Sequence, residues 1–320
     1  MQLVIKEVSD ILVCDTEKGD STVEITNLQS YIEQICLLNC ESSKQASFLP
    51  YEYLFRGHSD MNYTLLPTIA RGRKMPIDVT IFNGERNLVE LAKCKYPDVF
   101  QERMKPVEIL ALLQHYGIPT RLLDVTENAL VALYFACCSN PEKDGEVFVF
   151  VNKDDHVDNA PIISAIADSY RLTRGGAYSL ENFYRAALNQ QYFIEHKHIF
   201  EIIGEKFNGP EWIEKCCKRV IFVYSPIHTL RQQLQQGRFI LFPNRIINNY
   251  LGKNVKAFDT IIDPINKDNE CIKTRFIINK ESKSIILKDL QLCGISESTL
   301  FSDSIDIVSR GIVDKVKRML

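Results

Sequence analysis

The stretch ALLQHYGIPTRLLDVTENALVALYFACC, residues 111–138, constrains the fold more than any other part of the chain. Both of its ends are apolar enough to belong to a core, so the residues between them must run through or along that core. Yet the middle carries Gln114, His115, Arg121, Asp124 and Thr126, with Gly117 and Pro119 as breakers. Such a composition reads as a loop passing through a core and lined with strong hydrogen-bonding groups. Arg121 and Asp124 stand three apart among Leu122, Leu123 and Val125. If both are buried each must be paired, and each is the other's nearest candidate.

The flanks are easier to read. Residues 106–117 suit a helix with Pro106 at N1 and Gly117 as its C-cap. NALVALYFACCS is apolar nearly all round, which predicts a buried helix, and GEVFVFVN a buried strand. Upstream, QLVIKEV and DILVCDT form an expected strand pair ending in the loop EKGDST. NLQSYIEQICLLNC has helical spacing with Thr26 or Asn27 as N-cap, YEYLFRG is a strand stopped by Gly57, and residues 78–96 are a helix. Downstream, residues 154–218 read mostly as helices, notably 179–191 and 194–203, with a loop at LTRGGAY. Then come the strand KRVIFVYSP, the short helix IHTLRQQLQQG, the strands RFILFP and TRFIIN, and helices at 281–292 and 297–319. Strands and helices are grouped rather than strictly alternating. The pattern predicts an α+β fold with mixed or antiparallel central sheets and helical decoration.

Composition narrows the class. With 45% apolar and 25% charged residues over 320 positions the chain is globular, and a formal charge of −3 excludes a protein that coats nucleic acid by bulk electrostatics. A local basic groove remains compatible with it. No stretch approaches the roughly 20 uncharged apolar residues of a membrane span, and the opening residues lack a signal-peptide core. A cytoplasmic protein without membrane contact is expected. The ten cysteines fall mostly in apolar runs and at spacings that fit no zinc pattern, so reduced thiols and no bound metal are expected. Dinucleotide, P-loop, nucleophile-elbow and H-E-x-x-H motifs are absent.

Three short constellations carry chemistry. LFRGHSD delivers Arg56 at a strand end just before a glycine that lets backbone or ligand come close, a setting in which a guanidinium can fork onto phosphate or carboxylate; a solvated strand-end arginine is the alternative. In the central stretch His115 beside Tyr116 offers a planar surface and a titratable ring for stacking on a base or nicotinamide, against the alternative of a core histidine. LRQQLQQGRFILF sets Gln233, Gln235 and Gln236 at a helix-to-strand corner where a pocket wall or a polar helix end can lie.

Together YLFRG with LLPTIAR, LLQHYGIPTRLLDVTENALVALYFA, RQQLQQGRF and LCGISESTLFSDSIDIV resemble the FRG domain, named for its (F/Y)RG motif, from about residue 51 to about residue 310. On that resemblance residues 1–50 form an amino-terminal strand pair and helix, and 51–320 the domain with a helical insertion around 154–218. The resemblance implies an ADP-ribosyltransferase-like fold. In that fold one strand supplies Arg or His, a second Ser or Thr, and a third motif Glu or Gln.

Carried over, Arg56 takes the first position, Thr126 the second and Gln235 the third, with Gly57, His115, Tyr116 and Arg121 completing an NAD-binding set. Glutamine supplies no charge to a developing oxocarbenium cation, so Asp124, or else Glu127, is the candidate carboxylate. The implied function is an NAD-dependent ADP-ribosyltransferase-like enzyme modifying a nucleic acid or protein. It would be a toxin or phage-defence effector, with an antitoxin or defence-system partner. A non-catalytic nucleotide- or partner-binding module is the second expectation. A metal nuclease using His58, Asp60 and His115 is the third.

Overall fold

The computed structural model describes residues 22–44, 52–72, 81–101, 103–152, 161–173, 177–196, 208–226 and 229–301. The strands among them are β1 (Thr22–Ile25), β2 (Glu52–His58), β3 (Leu122–Thr126), β4 (Gly145–Asn152), β5 (Tyr178–Ser179), β6 (Ile221–Val223), β7 (Gly237–Leu241), β8 (Ile246–Ile247), β9 (Ala257–Phe258) and β10 (Ile272–Ile278). Seven of them make one sheet in the order β1-β10-β4-β2-β3-β7-β6, antiparallel throughout except for the parallel β1–β10 pair. A smaller sheet, β5-β9-β8, has no counterpart in the expectations. The fold is mixed α+β.

The helices are α1 (Leu28–Lys44), α2 (Glu85–Lys95), α3 (Pro106–His115), α4 (Ala129–Cys137), α5 (Pro161–Ala167), α6 (Ser169–Leu172), α7 (Leu180–Leu188), α8 (Gln191–Ile194), α9 (Gly209–Cys217), α10 (Leu230–Leu234), α11 (Lys280–Leu292) and α12 (Glu297–Leu300). Among the described residues no helix is long and apolar enough to cross a membrane.

Period-two alternation in β4 explains why its run is apolar throughout. Val147 and Val149 face a core under α4 and α11, whereas Phe148 and Phe150 face a second core on the other side. A third core lies between the β3-β7-β6 end and helices α3, α5, α7 and α9. Helix α4 fits because Asn128 caps it, accepting from Leu130 N at 3.0 Å and Val131 N at 3.3 Å.

Several expectations change. Gly57 does not stop its strand: β2 continues to His58, and the glycine is where α4 crosses the strand, since a Cβ there would stand 1.9 Å from the Ala132 carbonyl oxygen. The residues LLDVT are no loop but the central strand β3, with Leu123 and Val125 in the core behind the sheet. In an extended chain residues three apart point to opposite faces, so Arg121 and Asp124 cannot pair. Arg121, 1% exposed, instead forks onto Glu85, with Nε on Oε1 at 2.8 Å and Nη2 on Oε2, while Nη1 donates to Phe242 O at 3.2 Å and Asn244 Oδ1 at 3.1 Å. That network pins α2 to the start of β3. Glu85→Gln is expected to cost about 3 kcal/mol in chemical denaturation, because it leaves a buried guanidinium without its counter-charge. Glu85→Leu together with Arg121→Met is expected to recover most of that loss.

The helix expected at 78–96 is α2 preceded by a 3-10 turn at Ile81–Gly84, with residues 73–80 outside the described residues. β1 begins at Thr22, in what reads as the end of a loop, and the QLVIKEV–DILVCDT pair lies outside the described residues. The 179–191 helix is split into α7 and α8, and 197–207 lie outside, as do 302–320 of the last expected helix.

Candidate functional site

Strands β2 and β3 share a single pairing, Phe55 with Thr126. Continuing that antiparallel register would set Gly57 opposite Asp124, and no such pair forms. The sheet therefore parts between its two halves, and a crevice of about 430 Å³ opens there. That volume lies within the range of small-molecule sites. β2 contributes one wall, β3 and the 117–119 loop another, α4 a third, and the segment carrying α10 closes the fourth.

Arg56 bridges the gap. Its Nη1 donates to the Asp124 carbonyl, taking the place of the missing strand partner, and its Nε donates to His58 Nε2 at 3.0 Å. Burial lowers the Arg56 pKa to about 10; Asp124 opposes this and Arg71 adds to it, so the group stays cationic at neutral pH. Burial, with Arg56 and Lys267 nearby, also holds His58 far below the ordinary imidazole range. A neutral His58 is what Arg56 needs as an acceptor.

Asp124 is fixed from the other side. Gln114 Nε2 donates to its Oδ1 at 2.7 Å, while Gln114 Oε1 accepts from the Thr120 hydroxyl. The amide of Gln114 can satisfy a carboxylate and a hydroxyl at once only in this orientation. Among the described residues Asp124 is the one carboxylate that lines the crevice. Glu127, the other candidate, does not line the crevice and is ion-paired with Arg238, which also lies 3.5 Å over the Tyr224 ring.

Thr126 and Gln235 both reach the crevice, and they meet. The Thr126 hydroxyl donates to the Gln235 carbonyl at 2.6 Å and accepts from Asn128 N at 3.0 Å, so its first task is to tie the end of β3 to the α10–β7 corner. The Gln235 side-chain Nε2 donates to Leu300 O at 3.2 Å. Gly57 and His115 line the same space.

The structure does not bring every expected residue here. Arg121 lies behind the strand with Glu85, and Tyr116, 58% exposed, stands edge-on to His115 outside the lining. Gln233 and Gln236 are exposed and outside it as well. His58 is buried behind Arg56, and among the described residues no group of three or more His, Cys, Asp or Glu side chains can hold a metal, which leaves the nuclease constellation without a centre.

Sequence reasoning passed over Arg71 and Arg231, although both stand inside the quoted motifs. Arg71 lines the crevice with its Nε on Leu66 O at 3.0 Å. Arg231 lies four residues before Gln235, the spacing that sets two side chains on one helical face, and its guanidinium sits 4.6 Å over the Phe301 ring. Arg56, Arg71 and Arg231 thus converge on one space, and none of their contacts above is with a carboxylate.

No curated protein and no solved structure matches the chain. The family model of the FRG domain matches residues 51–145 and ends before α10, so Gln235 and Arg231 lie beyond it. Over residues 51–145, which carry Arg56, Gly57, Asp124 and Thr126, the chain is similar to the FRG domain.

Proposed function

We propose that the crevice binds NAD and that the protein is an ADP-ribosyltransferase-like enzyme passing ADP-ribose to a nucleic acid or a protein. The observation that carries this reading is the convergence of Arg56, Arg71 and Arg231 on a crevice in which Asp124 is the single carboxylate among the described lining residues. Guanidinium groups that outnumber the one carboxylate near them, Asp124, favour a diphosphate, and a lone fixed carboxylate favours a centre that becomes positive during reaction. Arg56 grips the diphosphate, His115 offers a ring face to the pyridine, and Gln235 accepts a ribose hydroxyl. As the bond between nicotinamide and ribose breaks, its electron pair leaves with the nicotinamide, and Asp124 stabilises the charge growing at the sugar carbon until the acceptor's nucleophile bonds there and releases its proton to water. Action as a cytoplasmic toxin or phage-defence effector, restrained by an antitoxin or defence partner, belongs to the same proposal.

Incubation with NAD labelled in the adenylate half, in the presence of RNA, DNA or protein, is expected to label one of them and release nicotinamide in equal amount. Gln235 supplies no charge and its amide nitrogen is already bonded to Leu300, which favours a second reading, a binding module without turnover. Saturable NAD binding with no nicotinamide released selects that second reading. Absence of binding discards both.

A further inference from the structure

The wall of the crevice made by α10 has little of its own to hold it. None of the residues Leu230–Leu234 is buried, and Leu230 and Leu234 are among the exposed large apolar side chains. Yet this short helix and its caps bring Thr229, Arg231, Gln232 and Gln235 to the site. It packs on β7 and α12, and at its C-terminal end the Thr126 hydroxyl and Glu127 N donate to the Gln235 and Gln236 carbonyls.

The α12 turn is better anchored. Ser296 caps it, with Ser296 N on Thr299 Oγ1 at 2.9 Å, and Leu300, 2% exposed, is sunk in the core under α4 and α11. From that anchor two contacts reach the crevice. The Leu300 carbonyl accepts from Gln235 Nε2, and the Phe301 ring carries the Arg231 guanidinium over its face and stands perpendicular to the ring of Phe135, itself a crevice-lining residue.

We propose that Leu300 and Phe301 are positioning residues of the crevice, holding α10 so that Gln235 and Arg231 face the ligand in one fixed conformation. A carbonyl can only accept, so Gln235 must turn its nitrogen to Leu300 and is left with Oε1 as its offer to a ligand hydroxyl. This also accounts for a glutamine at position 235: a carboxylate there would oppose the Leu300 carbonyl, oxygen against oxygen. Phe301 acts on Arg231 through its ring face, which holds the cation in place without neutralising it.

The test compares Phe301→Leu, which keeps apolar bulk but loses the ring, with Phe301→Tyr, which keeps both. Amide hydrogen exchange in the ligand-free protein follows Gln233, Gln235 and Gln236, whose N–H groups bond Thr229 O, Arg231 O and Gln233 O. In the Leu variant these amides are expected to exchange about tenfold faster while those of β7 stay unchanged, and the Tyr variant is expected to match the parent. Gln235→Glu, which leaves the α12 anchor untouched, is expected to quicken the same amides. Equal exchange in the parent and in the Leu, Tyr and Glu variants overturns the proposal, as does acceleration in Leu and Tyr alike. Affinity for ADP-ribose, measured alongside, is expected to fall about fivefold in the Leu variant and to match the parent in the Tyr variant. If the parent fails to bind ADP-ribose while the Leu variant still loosens α10, the NAD reading falls and the positioning role stands.

Discussion

A Gly57→Ala protein is expected to lose at least about 4 kcal/mol of stability, or to fail to fold, although it gains a single methyl group. The added carbon would stand 1.9 Å from the Ala132 carbonyl oxygen, 2.7 Å from Ala136 N and 3.0 Å from the Ala132 carbonyl carbon. All three are backbone atoms, so no rotamer change relieves the clash and α4 must lift from β2. Gly145 on the neighbouring strand is a second seat of the same kind, where a Cβ would be 2.4 Å from the Ala136 carbonyl oxygen. Ala132 and Ala136, one helical turn apart, are the small face that settles on both glycines. Lifting α4 would open the core around Val131, Leu133 and Phe276 and displace the crevice wall made by Val131, Ala132 and Phe135. Urea denaturation against the parent checks this; a loss below about 1 kcal/mol would mean that the helix and strand are not in this close contact.

That example marks where the sequence was legible. Apolar spacing, with Pro106 and Gly117 as end signals for α3, found α3, α4, β2, β4 and α11 close to their observed bounds, because such signals are local. Gly57 was visible as a strand end where backbone or a ligand comes close, but which backbone it is lies in a helix more than 70 residues further along, out of reach of any local signal. Arg121 and Asp124 failed for a different cause. Three apart means neighbours on a helix and opposite faces on a strand, and once LLDVT was read as a loop nothing distinguished the two. Glu85, the true partner of Arg121, is 36 residues away on a helix whose position depends on the whole third core. Of the crevice, the motif residues Arg56, Asp124, Thr126 and Gln235 were legible as types, whereas Arg71 and Arg231 became notable only once the sheet parted and their charges were seen to face one space.

Arg56 is the residue whose replacement is expected to cost most in function. Arg56→Ala is expected to lower kcat/KM for nicotinamide release from NAD by about a thousandfold, which at about 1.4 kcal/mol per factor of ten is the scale of a transition-state or ligand charge contact removed from a dry site. Lysine should not rescue it, and the geometry says why. One guanidinium serves the Asp124 carbonyl through Nη1 and the His58 ring through Nε, which leaves its remaining N–H groups for a ligand. An ammonium on a flexible stem has no fork to span the same gap, so Arg56→Lys is expected to lose about a hundredfold while keeping the charge. pH supplies an independent reading. Because burial lowers the Arg56 pKa to about 10, the cation is present at neutral pH and is lost as pH rises through that value, so affinity for ADP-ribose is expected to be level near neutrality and to decline towards pH 10. In the Arg56→Ala protein that decline should be absent. A lysine variant with the parent's rate would show that charge alone suffices, and an alanine variant with the parent's rate and pH profile for binding would show that the bridging guanidinium holds the parted strands together and does nothing for a ligand.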